Sequence, residues 1–208
     1  MMGDLMLVLG GARSGKSTFA ERTALARGSD DVTFVATGQA LDDEMRARIA
    51  RHQADRPRAW RTVEAPLHPS QAVAAATTSV VVVDCVTLLV SNLLLSLGDP
   101  EQGQVLPDEA AAETLVVAEI QALIQAAAAG PRLVIVVSNE VGLGLVPPYP
   151  LGRLYRDLLG RANCLLAQAA ASVYLLVAGL PVDVRRLSLS AGAQGSALDD
   201  TARGKDDD

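Results

Sequence analysis

The sequence predicts an α/β fold, a mainly parallel sheet with helices on both faces. Three observations predict it. Short apolar runs recur without polar alternation, SVVVVD at 79–84 being the clearest, and such runs read as strands buried on both faces. Helix-length segments separate them, and strands alternating with helices build a parallel sheet. The chain has 208 residues, 50% of them hydrophobic and 20% charged. That is one domain's worth of chain with enough apolar surface for a core, which excludes global disorder.

The elements follow in order. Residues 5–9 read as a strand stopped by Gly10 and Gly11, and 16–27 as a helix ended by Gly28. VTFVA at 32–36 is a second strand. Residues 42–53 form a charged helix, with Asp42 and Asp43 at its positive end. A short strand at 60–64 follows Pro57, and 69–76 is helical. After the strand at 79–84 come a helix at 86–95, a Gly/Pro/Asp-rich loop at 98–107 and a long alanine-rich helix at 108–129, stopped by Gly130 and Pro131. That helix fits either a core position or a neighbouring chain. A strand at 132–137, a Gly/Pro loop at 141–150, a helix at 151–171 and a last strand at 173–177 complete the pattern. There is no internal repeat. The fold therefore occupies 1–187. Residues 188–208 are small and acidic, without periodicity, and read as a disordered tail.

Composition excludes several function classes. Aromatics are 3% of the chain, too few for a base-stacking platform. The formal charge is −6, so the basic footprint of a nucleic-acid binder is missing. Cys85 and Cys164 stand far apart, which indicates neither zinc nor a disulfide framework. Buried structural roles suit both. No apolar run approaches the ~20 residues of a membrane span. MMGDLMLVLGG has no basic stretch before its apolar run, unlike a signal peptide. A cytoplasmic protein is expected.

GGARSGKS, comprising Gly10, Gly11, Ala12, Arg13, Ser14, Gly15, Lys16 and Ser17, satisfies G-x-x-x-x-G-K-[ST] between a predicted strand and a predicted helix. Glycines let the backbone curl until its N–H groups face phosphate oxygens, and the helix adds its positive end. Lys16 would reach the β- and γ-phosphates, and the Ser17 hydroxyl would join Mg²⁺. The fold expected is thus of the P-loop NTPase, RecA-like type. Asp84 ends a strand at the edge where such folds bind ligands, which suits a second Mg²⁺ partner. The plainer reading is an N-cap for the helix beginning near Val86.

The chain has two histidines, His52 and His68. His52 shares a helix face with Met45 and Ile49, at spacings of i, i+4 and i+7. Spacing alone fits a histidine at the edge of a core. His68 lies between two prolines in a loop and receives no role. Arg46 is equally a phosphate ligand or a partner of its acidic neighbours.

Four segments together resemble one family. They are GGARSGKS, VATGQALDDEMRARIARHQADRPRAWRTVEAP at 35–66, VVVDCVTLLVSNLL at 81–94 and VIVVSNEVGLGLVPPYPLGRLYRDLLGRANCLLA at 134–167. The chain is similar to bifunctional adenosylcobinamide kinases / adenosylcobinamide-phosphate guanylyltransferases of cobalamin biosynthesis, from about residue 5 to about 182. The resemblance implies nucleotide binding at 10–17, at Ala36, Thr37 and Gly38, at Gln53, Ala54, Asp55 and Arg56, and at Glu64 and Asp84. It places the guanylylated histidine, in R-I-x-x-H-x-x-x-R-P, on His52. Lys16 and His52 are then the catalytic residues, and Ser17 and Asp84 the metal ligands. ATP or GTP, Mg²⁺, adenosylcobinamide and its phosphate are the implied substrates and cofactor, and a homotrimer the implied assembly. Arg51 stands where some relatives carry another histidine. A simple P-loop kinase and a nucleotide-switched binding module are the rivals, and neither requires RIARHQADRPRAW.

Overall fold

The computed structural model describes residues 3–39, 43–54, 56–98 and 107–188. The strands are β1 (Asp4–Gly10), β2 (Val32–Ala36), β3 (Arg61–Glu64), β4 (Val80–Asp84), β5 (Leu133–Val137), β6 (Ser172–Val177) and β7 (Leu180–Asp183). The helices are α1 (Lys16–Gly28), α2 (Asp43–Ala54), α3 (Pro69–Ala75), α4 (Val86–Ser96), α5 (Glu109–Ala128), α6 (Pro150–Ala169) and α7 (Val184–Leu187). One sheet runs in the order β3-β2-β4-β5-β1-β6-β7. Every pairing is parallel except β6 with β7. The expected α/β architecture is what forms.

The apolar runs lack alternation because both faces are covered. Val81 and Val83 of β4 face one core with Leu89, Leu93, Ile120, Leu123 and Leu159 from α4, α5 and α6. Val80 and Val82 face the other, with Ala20 and Ala24 of α1, Phe34 and Trp60. A fully buried valine contributes about 1.5–3 kcal/mol, so the four together fix the register of the central strand. Among the described residues, α4, α5 and α6 contribute to the first core and α1 to the second.

α5 settles its own alternatives. Ala112, Val116, Ile120 and Leu123 are buried, so it is a core helix. The side chain of Asp108 caps it by accepting the Ala111 N–H at 2.8 Å. It also corrects one expectation: α5 is long and apolar enough to cross a membrane by length and composition. Its buried face packs against the sheet and α6 instead. Three further expectations change. The pattern does not close at 177, because Ala178 and Gly179, both at positive φ, turn the chain back into β7. His68 is the N-cap position of α3, with Nδ1 at 3.4 Å from the buried Glu119. Cys164 is exposed, while Cys85 is partly buried. The tail expected at 188–208 lies outside the described residues after Ser188.

Candidate active site

The loop between β1 and α1 owes its shape to backbone that side chains would obstruct. A Cβ on Gly10 would stand 2.6 Å from Ser14 Oγ and 2.7 Å from the Leu176 carbonyl oxygen. Gly15 is left-handed, at φ 93°, where it begins α1. Arg13 also takes positive φ, at 55°. The loop is tied from both sides. Glu140 N–H donates to the Gly10 carbonyl at 3.1 Å, and Gly179 N–H to the Ser14 carbonyl at 3.0 Å. The Lys16 ammonium curls back to donate to the Gly11 carbonyl at 2.6 Å. Ser14 Oγ is buried with no hydrogen-bond partner among the described residues. Gly11, Ala12 and Arg13 are exposed, and Ser17 is half-buried.

The neighbouring strand ends form a second wall. Asp84 ends β4, in register with Ala36 of β2 and Val137 of β5. Only β5 separates β4 from β1, so Asp84 stands about 10 Å across the sheet from the loop's own strand. Thr37 is fully buried, and its Oγ1 donates to the Cys85 carbonyl and accepts the Cys85 N–H, each at 2.7 Å. Asn92 donates to the Thr37 and Pro66 carbonyls. These bonds lock Ala36, Thr37 and Gly38 to the Asp84 edge. Glu64 ends β3 opposite Ala36 and is exposed. Burial, with Asp84 nearby, pushes the Cys85 thiol up to about 11, so at neutral pH it is uncharged.

The segment after β2 is placed differently. The described side chains of α2, among them Gln53 and Ala54, are exposed. Arg46 pairs with Asp43, the alternative in which it serves its own helix. The side chain of His52, and Asp55 altogether, lie outside the described residues. Arg56 is the inward-facing member. Its guanidinium sits 3.6 Å above the Phe34 ring and 3.7 Å from Glu21 on α1. Burial lowers its pKa below the ordinary arginine value, while Glu21 and Asp84 oppose the shift.

The family model described as cobinamide kinase / cobinamide phosphate guanyltransferase matches residues 6–184. This chain belongs to that family. Its members among characterised proteins include bifunctional adenosylcobalamin biosynthesis protein CobU of Escherichia coli K12, 46% identical over 87% of this chain and 99% of that protein. CobU of Salmonella typhimurium LT2 is 45% identical over the same shares. CobP of Pseudomonas aeruginosa is 42% identical over 86% of this chain and 96% of its own length. Among solved structures, flagellar accessory protein FlaH of Methanocaldococcus jannaschii aligns with 86% of this chain and 75% of its own, at TM-score 0.39 and 14% identity. The chain is thus a cobinamide kinase and guanyltransferase of cobalamin biosynthesis.

The structure brings the phosphate loop, residues 36–38, Glu64 and Asp84 to one sheet edge, with Arg56 in electrostatic reach of Asp84. It leaves Gln53 and Ala54 exposed on α2. Sequence reasoning missed the two clasps on the loop, Glu140 and Gly179. An Ala-Gly turn between VYLLV and LPVD was the available signal for the second. It also missed Glu21, which nothing local marks as more than a helix-surface acid.

Proposed function

We propose that residues 1–187 carry two successive reactions, and that His52 is the nucleophile of the second. In the first, the hydroxyl of adenosylcobinamide attacks the γ-phosphorus of ATP or GTP. The bond to the β-phosphate oxygen breaks, the nucleoside diphosphate leaves, and the hydroxyl proton goes to solvent. Such transfer is mostly positioning and charge neutralisation. The loop amides and Lys16 supply both. Mg²⁺ fits the donors present: Ser17 and Asp84 offer hard oxygens, and Mg²⁺ takes one or two protein ligands beside phosphates and water. Among the described residues no cluster of three metal-binding side chains forms an all-protein cage. Bound there, Mg²⁺ would neutralise phosphate charge.

In the second reaction a neutral His52 nitrogen attacks the α-phosphorus of GTP. Pyrophosphate leaves and a histidine–GMP phosphoramidate remains. A phosphate oxygen of adenosylcobinamide phosphate then attacks that phosphorus and the P–N bond breaks. Adenosylcobinamide-GDP forms and His52 is restored. Covalent catalysis divides one difficult displacement into two. The attack requires the neutral imidazole, the form with a free ring-nitrogen lone pair. Gln53, Ala54, Asp55, Arg56 and Glu64 would hold the guanine nucleotide.

The loop 139–149 follows β5 at the Asp84 edge. It exposes Leu143 (88%), Leu145 (97%) and Tyr149 (61%), an apolar rim suited to a corrin macrocycle. A cytoplasmic homotrimer completes the reading, and a monomer mass by light scattering would remove the trimer.

The observation that carries the reading is His52 within RIARHQADRP, in a chain matched by the family over 6–184. The test is an intact mass after incubation with GTP and Mg²⁺, read under mild alkali because phosphoramidates are acid-labile. The wild type should gain one GMP and His52→Asn none, while His52→Asn keeps phosphoryl transfer. An adduct on His52→Asn would overturn the assignment.

A further inference from the structure

Arg56 is fixed from three elements. Its side chain is 7% exposed. The Phe34 ring of β2 covers one face of the guanidinium at 3.6 Å, a cation–π contact strengthened by burial. The Glu21 carboxylate, on the second turn of the phosphate-loop helix, lies 3.7 Å from Nε. A terminal nitrogen donates to Thr62 Oγ1 of β3 at 3.5 Å. Asp84 acts on the same guanidinium electrostatically. Arg56 is also four residues past His52 and two past the end of α2. Four residues further on, the Trp60 indole N–H donates to the Ser29 carbonyl beyond the end of α1, at 2.9 Å. The short strut 56–60 is therefore tied twice to one helix, and that helix begins with Lys16.

We propose that Glu21 and Phe34 are positioning residues for guanylyl transfer. They fix Arg56, and through it the C-terminal end of the His52 helix, against the phosphate-loop helix. The proposal rests on the reading of His52 as the GMP carrier and names what holds it in register with the phosphates. A guanidinium is a planar fork that keeps its geometry only where its plane is held. Phe34 packs its ring against the guanidinium, and Glu21 sets a counter-charge beside Nε. Neither residue is needed to cradle the phosphates of the kinase step, which the loop amides and Lys16 do. One helix thus sets the geometry for two chemistries, and the second can be disturbed alone.

The test is the single-turnover rate of His52 guanylylation at saturating GTP, set against kcat and KM for phosphoryl transfer. Glu21→Gln keeps size and removes the charge, on a side chain already 20% exposed. It should slow guanylylation roughly 10- to 100-fold, the scale of a small misplacement of reacting groups, with both kinase constants within about twofold. Glu21→Asp should restore part of the rate. Phe34→Leu, an apolar replacement without the ring face, should show the same selective loss. Because Glu21 acts through Arg56, the double variant Glu21→Gln/Arg56→Gln should be no slower than Arg56→Gln alone. Equal loss of both activities, an unchanged Glu21→Gln rate or fully additive effects would each overturn the proposal. A wild-type protein that gains no GMP overturns the His52 reading along with it. A wild-type adduct with an unaffected Glu21→Gln rate overturns this proposal alone.

Discussion

The phosphate loop is fastened on several sides, whereas the helix carrying His52 is fastened, within the described residues, at its C-terminal end. The loop has β1 and α1 as its stems, Glu140 and Gly179 as clasps and Lys16 bent across it. α2 presents its described side chains to solvent and reaches the core through Arg56 and Trp60. The difference follows from what each reaction asks of the protein. A phosphate cradle works by preorganised donors, so it gains from rigidity. On the proposed reading, His52 must first accept GMP and then surrender it, so its helix has to meet two substrates in turn.

The comparison is broken most severely at Lys16. Lys16→Ala removes the one cation in the loop's cradle that the motif aims at the β- and γ-phosphates. Phosphoryl transfer should fall roughly 10³-fold or more, the scale of losing a charged phosphate clamp. Steady-state turnover with ATP and adenosylcobinamide measures it. The attachments of α2 are untouched, but the buried Lys16 also loses its bond to the Gly11 carbonyl, so thermal unfolding should drop by a few degrees, the scale of ~1 kcal/mol. A gentler break is Gly10→Ala. The added methyl meets a backbone carbonyl at 2.7 Å, which cannot swing away as a side chain would. The loop must shift, and roughly a 100-fold loss in kinase turnover is expected. Trp60→Phe works on the other region. It keeps an aromatic in the α1-side core but removes the donor to Ser29. Stability by urea titration should fall by about 1 kcal/mol, and guanylylation should slow more than phosphoryl transfer. The reverse order would mean that the strut serves the loop rather than the helix.

How much of this was legible depended on whether the signal was local. β1 with its glycine loop, and the VVVVD strand ending in Asp84, were readable because burial on both faces and left-handed backbone leave marks in neighbouring residues. α5 was readable as a helix but not as a core helix, since an alanine-rich surface allows either. β7 was missed because four residues containing a proline carry no periodicity. Only its antiparallel register against β6 makes LPVD a strand. The site divides the same way. The motif nominates Lys16 and Ser17 for the proposed site, and the strand end nominates Asp84. His52 needed the resemblance, because one histidine on a helix face is chemically ambiguous. Glu21 and Phe34 were invisible: a helix acid and a strand aromatic acquire a role only when β2, α1 and the residue after α2 meet around one guanidinium.

The smallest expected effect lies at the locked edge between the two regions. Burial, with the Asp84 charge beside it, raises the Cys85 thiol to about 11, and burial raises the nearby Tyr155 phenol to about 12. Both groups keep their protons more tightly folded than unfolded. Their contribution is therefore complete below the unfolded thiol pKa of about 8.5, and it is lost as pH climbs through the folded values. The urea midpoint should decline between about pH 9 and 11, and more shallowly in Cys85→Ser. Lysines add little to this range, because the chain has two, Lys16 and Lys205. The exposed Cys164 supplies an internal control: at pH 8 an alkylating reagent should label it well before Cys85, because the thiolate is the reactive form. Equal labelling would mean that the Thr37–Cys85 lock opens readily, and that the phosphate edge is held less firmly than its hydrogen bonds imply.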